Sequence, residues 1–189
     1  MIVAPTPTNE ERRLEALRGF EILDTPAEKA FDDLVRLALY ICETPIAAVS
    51  FIDKDRQWFK SKVGLSVPET KRDISFCAHA LTLPNETLIV PDASQDARFS
   101  DNPLVTGEPK IRFYAGAPLV TEDGFVLGTL CVIDHVPKEL TPAQTKALEV
   151  LQNQVMRELE LLRKNIELSE VNKKLAQARM ELSESDTRY

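Results

Sequence analysis

Cys77 and His79 stand two residues apart in the run Ser75-Phe76-Cys77-Ala78-His79-Ala80, and thiol and imidazole are the residue types of metal ligation and redox chemistry. On a helix, residues two apart point about 200° away from each other, so this pair cannot grip one ion, and two such ligands alone do not make a site. Cys77 therefore reads first as a small buried hydrophobe, with a pocket-lining or redox-sensing thiol as its functional alternatives. His79 reads as a hydrogen-bonded structural histidine or as a ligand contact. Cys42 and Cys131 fall in an expected helix and an expected central strand and read as packing residues. Three cysteines so widely separated make neither a disulfide framework nor a zinc signature. They fit a reducing compartment, and no metal is expected.

The other polar candidates have ordinary explanations. Asp53, Asp55, Asp92, Asp96 and Asp101 scatter through expected turns, where capping and Asx turns are their usual task. No Ser-His-Asp arrangement, glycine-rich phosphate loop or paired carboxylate has a supporting context. Arg98 and Arg112 flank a long polar stretch and have the forked geometry to hold an anionic ligand, or to form surface ion pairs. Arg112 also has an outward alternative, since its neighbour Phe113 faces the opposite side of a strand.

The elements that must position these residues follow from composition and pattern. The chain has 189 residues, 43 % hydrophobic and 28 % charged, which excludes disordered, collagen-like and secreted mini-protein classes. A net charge of -7 argues against nucleic acid, whose phosphates require clustered Lys and Arg. The apolar runs are strand-sized and no signal-peptide core follows Met1, so no membrane association or export is expected and the expected location is cytoplasmic. All six glycines lie at or before Gly128, all twelve prolines at or before Pro142, and Tyr189 is the one aromatic residue beyond Phe125. From Pro137 onward basic and acidic residues balance, so the negative excess belongs to the first part of the chain.

That tail reads as one long helix of about 70 Å, started by a capping box at Thr141, Pro142 and Gln144. Its apolar positions run Leu148, Leu151, Val155, Leu159, Leu162, Ile166, and resume as Leu168, Val171, Leu175, Ala178, Leu182. The spacing lies between the heptad and the eleven-residue repeat with a phase slip near Ile166, which predicts a parallel dimeric coiled coil whose first turns pack on the domain's own sheet.

Ahead of it, capping boxes at Thr8–Glu11 and Thr25–Glu28 predict two helices, the first through about Leu23, the second with Phe31, Leu34, Val35, Ala38 and Leu39 on one face. The apolar run 46–52 predicts a central strand buried on both faces, joined by a turn to a strand over 57–63. A short helix near 76–81, a strand at 88–90, a loop over 91–109 with one helical turn, and a hairpin of 113–120 with 126–133 complete the order. The expected fold class is α+β, with flanking helices on a mainly antiparallel sheet.

The sequence resembles the GAF domain family, small-molecule-sensing relatives of PAS domains. The resemblance rests on 46–53 with Gln57-Trp58-Phe59-Lys60 and Val63-Gly64-Leu65; Arg72-Asp73-Ile74-Ser75-Phe76-Cys77-Ala78-His79-Ala80; Val90-Pro91-Asp92-Ala93; Arg98-Phe99; and Phe113-Tyr114-Ala115-Gly116-Ala117-Pro118-Leu119 leading to Gly128-Thr129-Leu130-Cys131-Val132. It spans about Pro26 to Leu159. It implies a GAF-like central sheet and a long C-terminal coiled-coil helix, arranged as an N-terminal helix (1–25), a sensor domain (26–140), a signalling helix (141–182) and the start of a following PAS-like domain (183–189).

The resemblance also implies a cavity between the sheet and the 65–109 connections, lined by Phe51, Trp58, Phe59, Phe76, Cys77, His79, Arg98, Phe99, Phe113 and Ala115. Such an aromatic box suits a planar ligand or a filled core. The ligand or cofactor stays unknown. A bilin is not expected, because Cys77 is followed by Ala78 and not by His, and the Asn-Lys pattern of cyclic-nucleotide-binding members is absent. The implied role is sensing in bacterial two-component or related signalling: a homodimer joined through its C-terminal helix, relaying to a histidine kinase or diguanylate cyclase output domain in the same chain, with no enzymatic activity in this portion. The alternative is a redox enzyme like the free methionine sulfoxide reductases, in which cysteines must meet.

Overall fold

The computed structural model describes residues 1–186. Its elements are α1 (Glu10–Gly19), α2 (Lys29–Cys42), β1 (Ile46–Ile52), β2 (Arg56–Val63), β3 (Glu69–Lys71), β4 (Leu88–Val90), α3 (Pro103–Thr106), β5 (Phe113–Val120), β6 (Val126–Asp134) and α4 (Pro142–Asp186). Two 3-10 turns, Arg72–Ile74 and Cys77–Thr82, lie between β3 and β4. The strands form a six-stranded antiparallel sheet in the order β3-β2-β1-β6-β5-β4.

β1 carries seven consecutive apolar or small residues, and all are buried, because helices cover one face of the sheet and the 64–112 connections cover the other. Alternation along the strands divides the core in two. Val49, Phe51, Trp58, Phe113, Ala115, Leu130 and Val132 pack with Phe31 and Val35 of α2 and with Leu148, Val155 and Leu159 of α4. Ile46, Ala48, Ile52, Tyr114, Cys131 and Ile133 face the other way, toward Phe76, Leu81 and Phe99.

The capping box of α4 forms as expected. The Gln144 backbone N–H donates to Thr141 Oγ1 at 3.1 Å, and the Thr141 N–H donates to Gln144 Oε1 at 2.9 Å. The two earlier capping boxes do not form: Asn9 and Glu28 occupy the N-cap positions, without side-chain caps. At the second, α2 begins at Lys29, beyond the reach of Thr25, whose hydroxyl donates to the Ile22 carbonyl and also meets a lysine of β2. Ser61 stands opposite Val49 and Phe59 opposite Ser50, so Lys60 is an extra residue on β2, a β-bulge, and turns to the helix side. There its buried ammonium donates to Thr25 Oγ1 at 2.9 Å and to the Pro26 carbonyl at 2.6 Å, and pairs with Glu28 at 2.6 Å. Thr25 is engaged by the sheet and does not cap α2.

Leu148, Val155 and Leu159 seat the first turns of α4 on the sheet. Beyond Leu162 the helix leaves the domain, and Leu168, Val171, Leu175 and Leu182 are 59 %, 59 %, 49 % and 66 % exposed, a solvent-facing apolar seam. The run 183–189, expected to open a following domain, continues α4 as far as residue 186; its last three residues lie outside the described residues.

Candidate functional site

A cavity of about 470 Å³ opens on the sheet face opposite α4. Strand alternation supplies its floor: Gln57 and Phe59 from β2, Tyr114 from β5, Cys131 and Ile133 from β6. The roof comes from the connections, with Leu65 and Val67 after β2, Ile74 and Phe76 around the 3-10 turns, and Leu104, Glu108 and Ile111 from the long loop, while the Cys77 side chain reaches down to the floor residues. Gly64 starts that roof in the left-handed region at φ +79°, with its α-carbon so close to β1 that a Cβ would stand 2.5 Å from the Pro45 carbonyl oxygen. The wall is mostly apolar, with Gln57, Ser66, Glu69, Thr70, Lys71 and Glu108 as polar members beside the Tyr114 hydroxyl and the two thiols.

The structure divides the expected site residues into three groups. Phe59, Phe76 and Cys77 line the cavity. His79, Arg98 and Phe99 form a second layer: Phe99 stacks on Phe76 with ring centroids 4.0 Å apart, His79 meets Phe99 edge-on at 4.7 Å, and Arg98 lies over the Phe99 ring. Phe51, Trp58, Phe113 and Ala115 do not line the cavity. They point to the opposite face and pack in the core beneath α2 and α4. The physical reason is the two-residue period of a strand, which forbids Trp58 and Phe59, or Phe113 and Tyr114, from sharing a face. Tyr114, next in sequence to Phe113, is the cavity residue that the aromatic pattern concealed.

Neither arginine is free for an anion. Arg98 is held in a forked pair by Asp96, at 2.9 and 2.7 Å, and Arg112 donates to the carbonyls of Val105 and Ile111, tying down the long loop. Asp92 and Asp96 accept backbone N–H groups two residues on, the Asx turns expected of them. Burial and the Arg98 guanidinium push His79 below its ordinary pKa, so its imidazole is neutral near pH 7. A second hollow, of about 590 Å³, lies on the surface around Arg56, Glu69 and Lys71, where Arg56 is already paired with Asp24, Asp53 and Glu69.

The polar centre of the cavity floor is a cysteine pair. Cys77 from the 3-10 turn and Cys131 from β6 bring their sulfurs to 3.9 Å. Gln57 Nε2 donates to Cys77 Sγ at 3.0 Å, and the Tyr114 hydroxyl donates to it at 3.2 Å. Burial works against a thiolate at Cys77, but the Cys131 thiol and the Thr129 and Tyr114 hydroxyls outweigh it and hold this thiol below its ordinary pKa. The same contact, together with burial, pushes Cys131 well up. Cys131 is therefore no packing residue alone. Fifty-four positions separate it from Cys77, and only the register of β6 on β1 and β5 brings the two together. Cys42 stays apart in α2, its thiol raised to about 11 by burial. Among the described residues no cluster of three or more His, Cys, Asp or Glu forms a metal site, and no helix is long and apolar enough to cross a membrane.

Known proteins extend the comparison. A cyclic di-GMP phosphodiesterase of Pseudomonas aeruginosa is 42 % identical over 164 residues; the match covers 86 % of this chain and 28 % of that protein, so the chain spans less than a third of its relative's length. The GAF domain of Thermosynechococcus elongatus PixJ, in its blue-light-absorbing form, superposes with a TM-score of 0.59 at 14 % identity, covering 92 % of this chain and 98 % of that one. A domain of a putative two-component sensor histidine kinase from Sinorhizobium meliloti gives a TM-score of 0.57 at 15 % identity, covering 75 % and 97 %. The sequence profile of the GAF domain matches residues 26–159. With that profile spanning most of the chain, and with the antiparallel sheet and its C-terminal helix arranged as in solved GAF structures, the protein belongs to the GAF domain family.

Proposed function

We propose that this chain is a sensory module: its cavity takes a small, mainly apolar ligand, and α4 carries the result, as one strand of a parallel dimer, to an output domain in the same polypeptide. The observation that carries this reading is the double use of β5 and β6. Tyr114, Cys131 and Ile133 form the cavity floor, while their neighbours Phe113, Ala115, Leu130 and Val132 form the seat of Leu148, Val155 and Leu159 on the other face. A ligand that shifts these strands shifts the seat of α4, because close-packed interiors transmit displacements. The phase slip near Ile166 gives the stalk two alternative registers, the bistable element that a switch needs. The Pseudomonas relative supports an output concerned with cyclic di-GMP turnover; a histidine kinase or diguanylate cyclase would be driven by the same shift of α4.

The test is native mass spectrometry of the purified chain for a co-purifying small molecule, followed by amide hydrogen exchange on loaded and stripped protein. Altered exchange in both the cavity roof and residues 142–162 is expected. Exchange that changes at the roof while α4 stays the same would remove the relay.

A further inference from the structure

We infer that Cys77 and Cys131 form a redox-modifiable dithiol, oxidised by a small hydroperoxide that enters through the cavity to an intramolecular disulfide across the cavity floor. The inference does not depend on the cavity's natural ligand or on the output domain. Three observations carry it. The sulfurs are 3.9 Å apart without any rearrangement, so closing to a bond length needs about 2 Å of combined movement. Both residues lie on the cavity wall, so a reagent of peroxide size reaches them although little of either side chain is open to bulk solvent. Cys77 also sits on a short 3-10 turn at the cavity wall, outside the hydrogen-bond ladder of the sheet that holds Cys131 in β6.

The surroundings favour Cys77 as the attacking sulfur. Gln57 and Tyr114 both donate to it. The Ser50 hydroxyl is buried without a hydrogen-bond partner among the described residues, a donor available to a thiolate at Cys77. Against its burial, the neighbouring Cys131 thiol and the surrounding hydroxyls hold the Cys77 thiol below its ordinary pKa, while Cys131 is pushed up and stays protonated, the division of roles that a nucleophile and a resolving thiol require.

The chemistry balances in two steps. The Cys77 thiolate attacks the terminal oxygen of the hydroperoxide, the O–O bond breaks, and the alkoxide or hydroxide leaves as alcohol or water after taking a proton; Cys77 becomes a sulfenic acid. Cys131 sulfur then attacks that sulfur, forming the S–S bond and releasing the sulfenic oxygen as water, with the Cys131 proton accounting for its second hydrogen. Two electrons pass from the thiol pair to the peroxide, and a dithiol reductant returns them. Oxidation removes the acceptor that Gln57 and Tyr114 share, so the cavity floor has two chemical states.

The experiment treats the purified chain with hydrogen peroxide, denatures it, alkylates free thiols and maps the peptides. The expected result is loss of two of the three alkylatable cysteines, a Cys77–Cys131 cross-linked peptide lighter by two hydrogens, Cys42 alkylated, and full reversal by dithiothreitol. Cys131→Ser should trap the intermediate, giving a dimedone adduct at Cys77. The same oxidation in denaturant should lose the pairing preference. Three alkylatable thiols after peroxide, a bridge to Cys42, or a bridge between two chains would overturn the inference. Should the Cys131→Ser variant fail to fold, the wild-type peptide map decides alone.

Discussion

The Tyr114 side chain lies over Gly116, so closely that a Cβ at Gly116 would stand 2.1 Å from the tyrosine hydroxyl oxygen. Glycine two residues along the same strand face leaves the ring room to reach Cys77. Gly116→Ala should swing the ring away, at a cost on the order of 1–3 kcal/mol for overpacking. A urea-unfolding midpoint measures that cost. A thiolate titration by ultraviolet absorbance should show Cys77 ionising at higher pH than in the parent, as one of its donors is withdrawn.

Glu10 fastens α1 to the domain. Arg13 pairs with it at 2.8 and 2.9 Å, and the Arg72 guanidinium meets the same carboxylate. Partial burial works against the carboxylate, but the two guanidinium groups outweigh it and hold its pKa at about 2, against an ordinary 4.5. A depressed folded-state pKa means that the stabilisation is complete above 4.5 and fades as pH falls toward 2. Glu10→Gln should therefore lower the urea midpoint at neutral pH, and the gap between variant and parent should close between pH 4.5 and 2. A gap independent of pH would show that these pairs do not contribute.

The two halves of α4 should respond differently to truncation. Leu148 is fully buried on the sheet, and Leu148→Ala should cost about 2–5 kcal/mol in urea unfolding. Leu175 is 49 % exposed beyond the domain, and Leu175→Ala should change the domain's stability by no more than about 0.5 kcal/mol while weakening self-association.

Much of this architecture is legible from local chemistry. β1 announces itself as seven buried residues between Pro45 and Asp53, and α4 by a capping box and an unbroken run free of Gly and Pro. The site is legible only in outline. An aromatic residue advertises burial but not which face it occupies, so Trp58 and Phe113 read like Phe59 and Phe76 until pairing is known. The bulge at Lys60 leaves no mark in the sequence, nor does β3, whose three residues gain their order from β2. Thr25 carries a good capping pattern, yet α2 starts only at Lys29 and the Thr25 hydroxyl bonds to Ile22 and to Lys60, thirty-five positions away, instead. The meeting of Cys77 with Cys131 depends on long-range register, which no short motif encodes.

Sedimentation velocity of the chain at low and high micromolar concentration, beside Leu168→Glu and Leu175→Glu, tests the dimeric relay most directly. The parent should be a dimer, driven by the apolar seam beyond Leu162, and both variants should be monomers with their urea midpoints unchanged. A parent that remains monomeric at high micromolar concentration would contradict the dimeric relay.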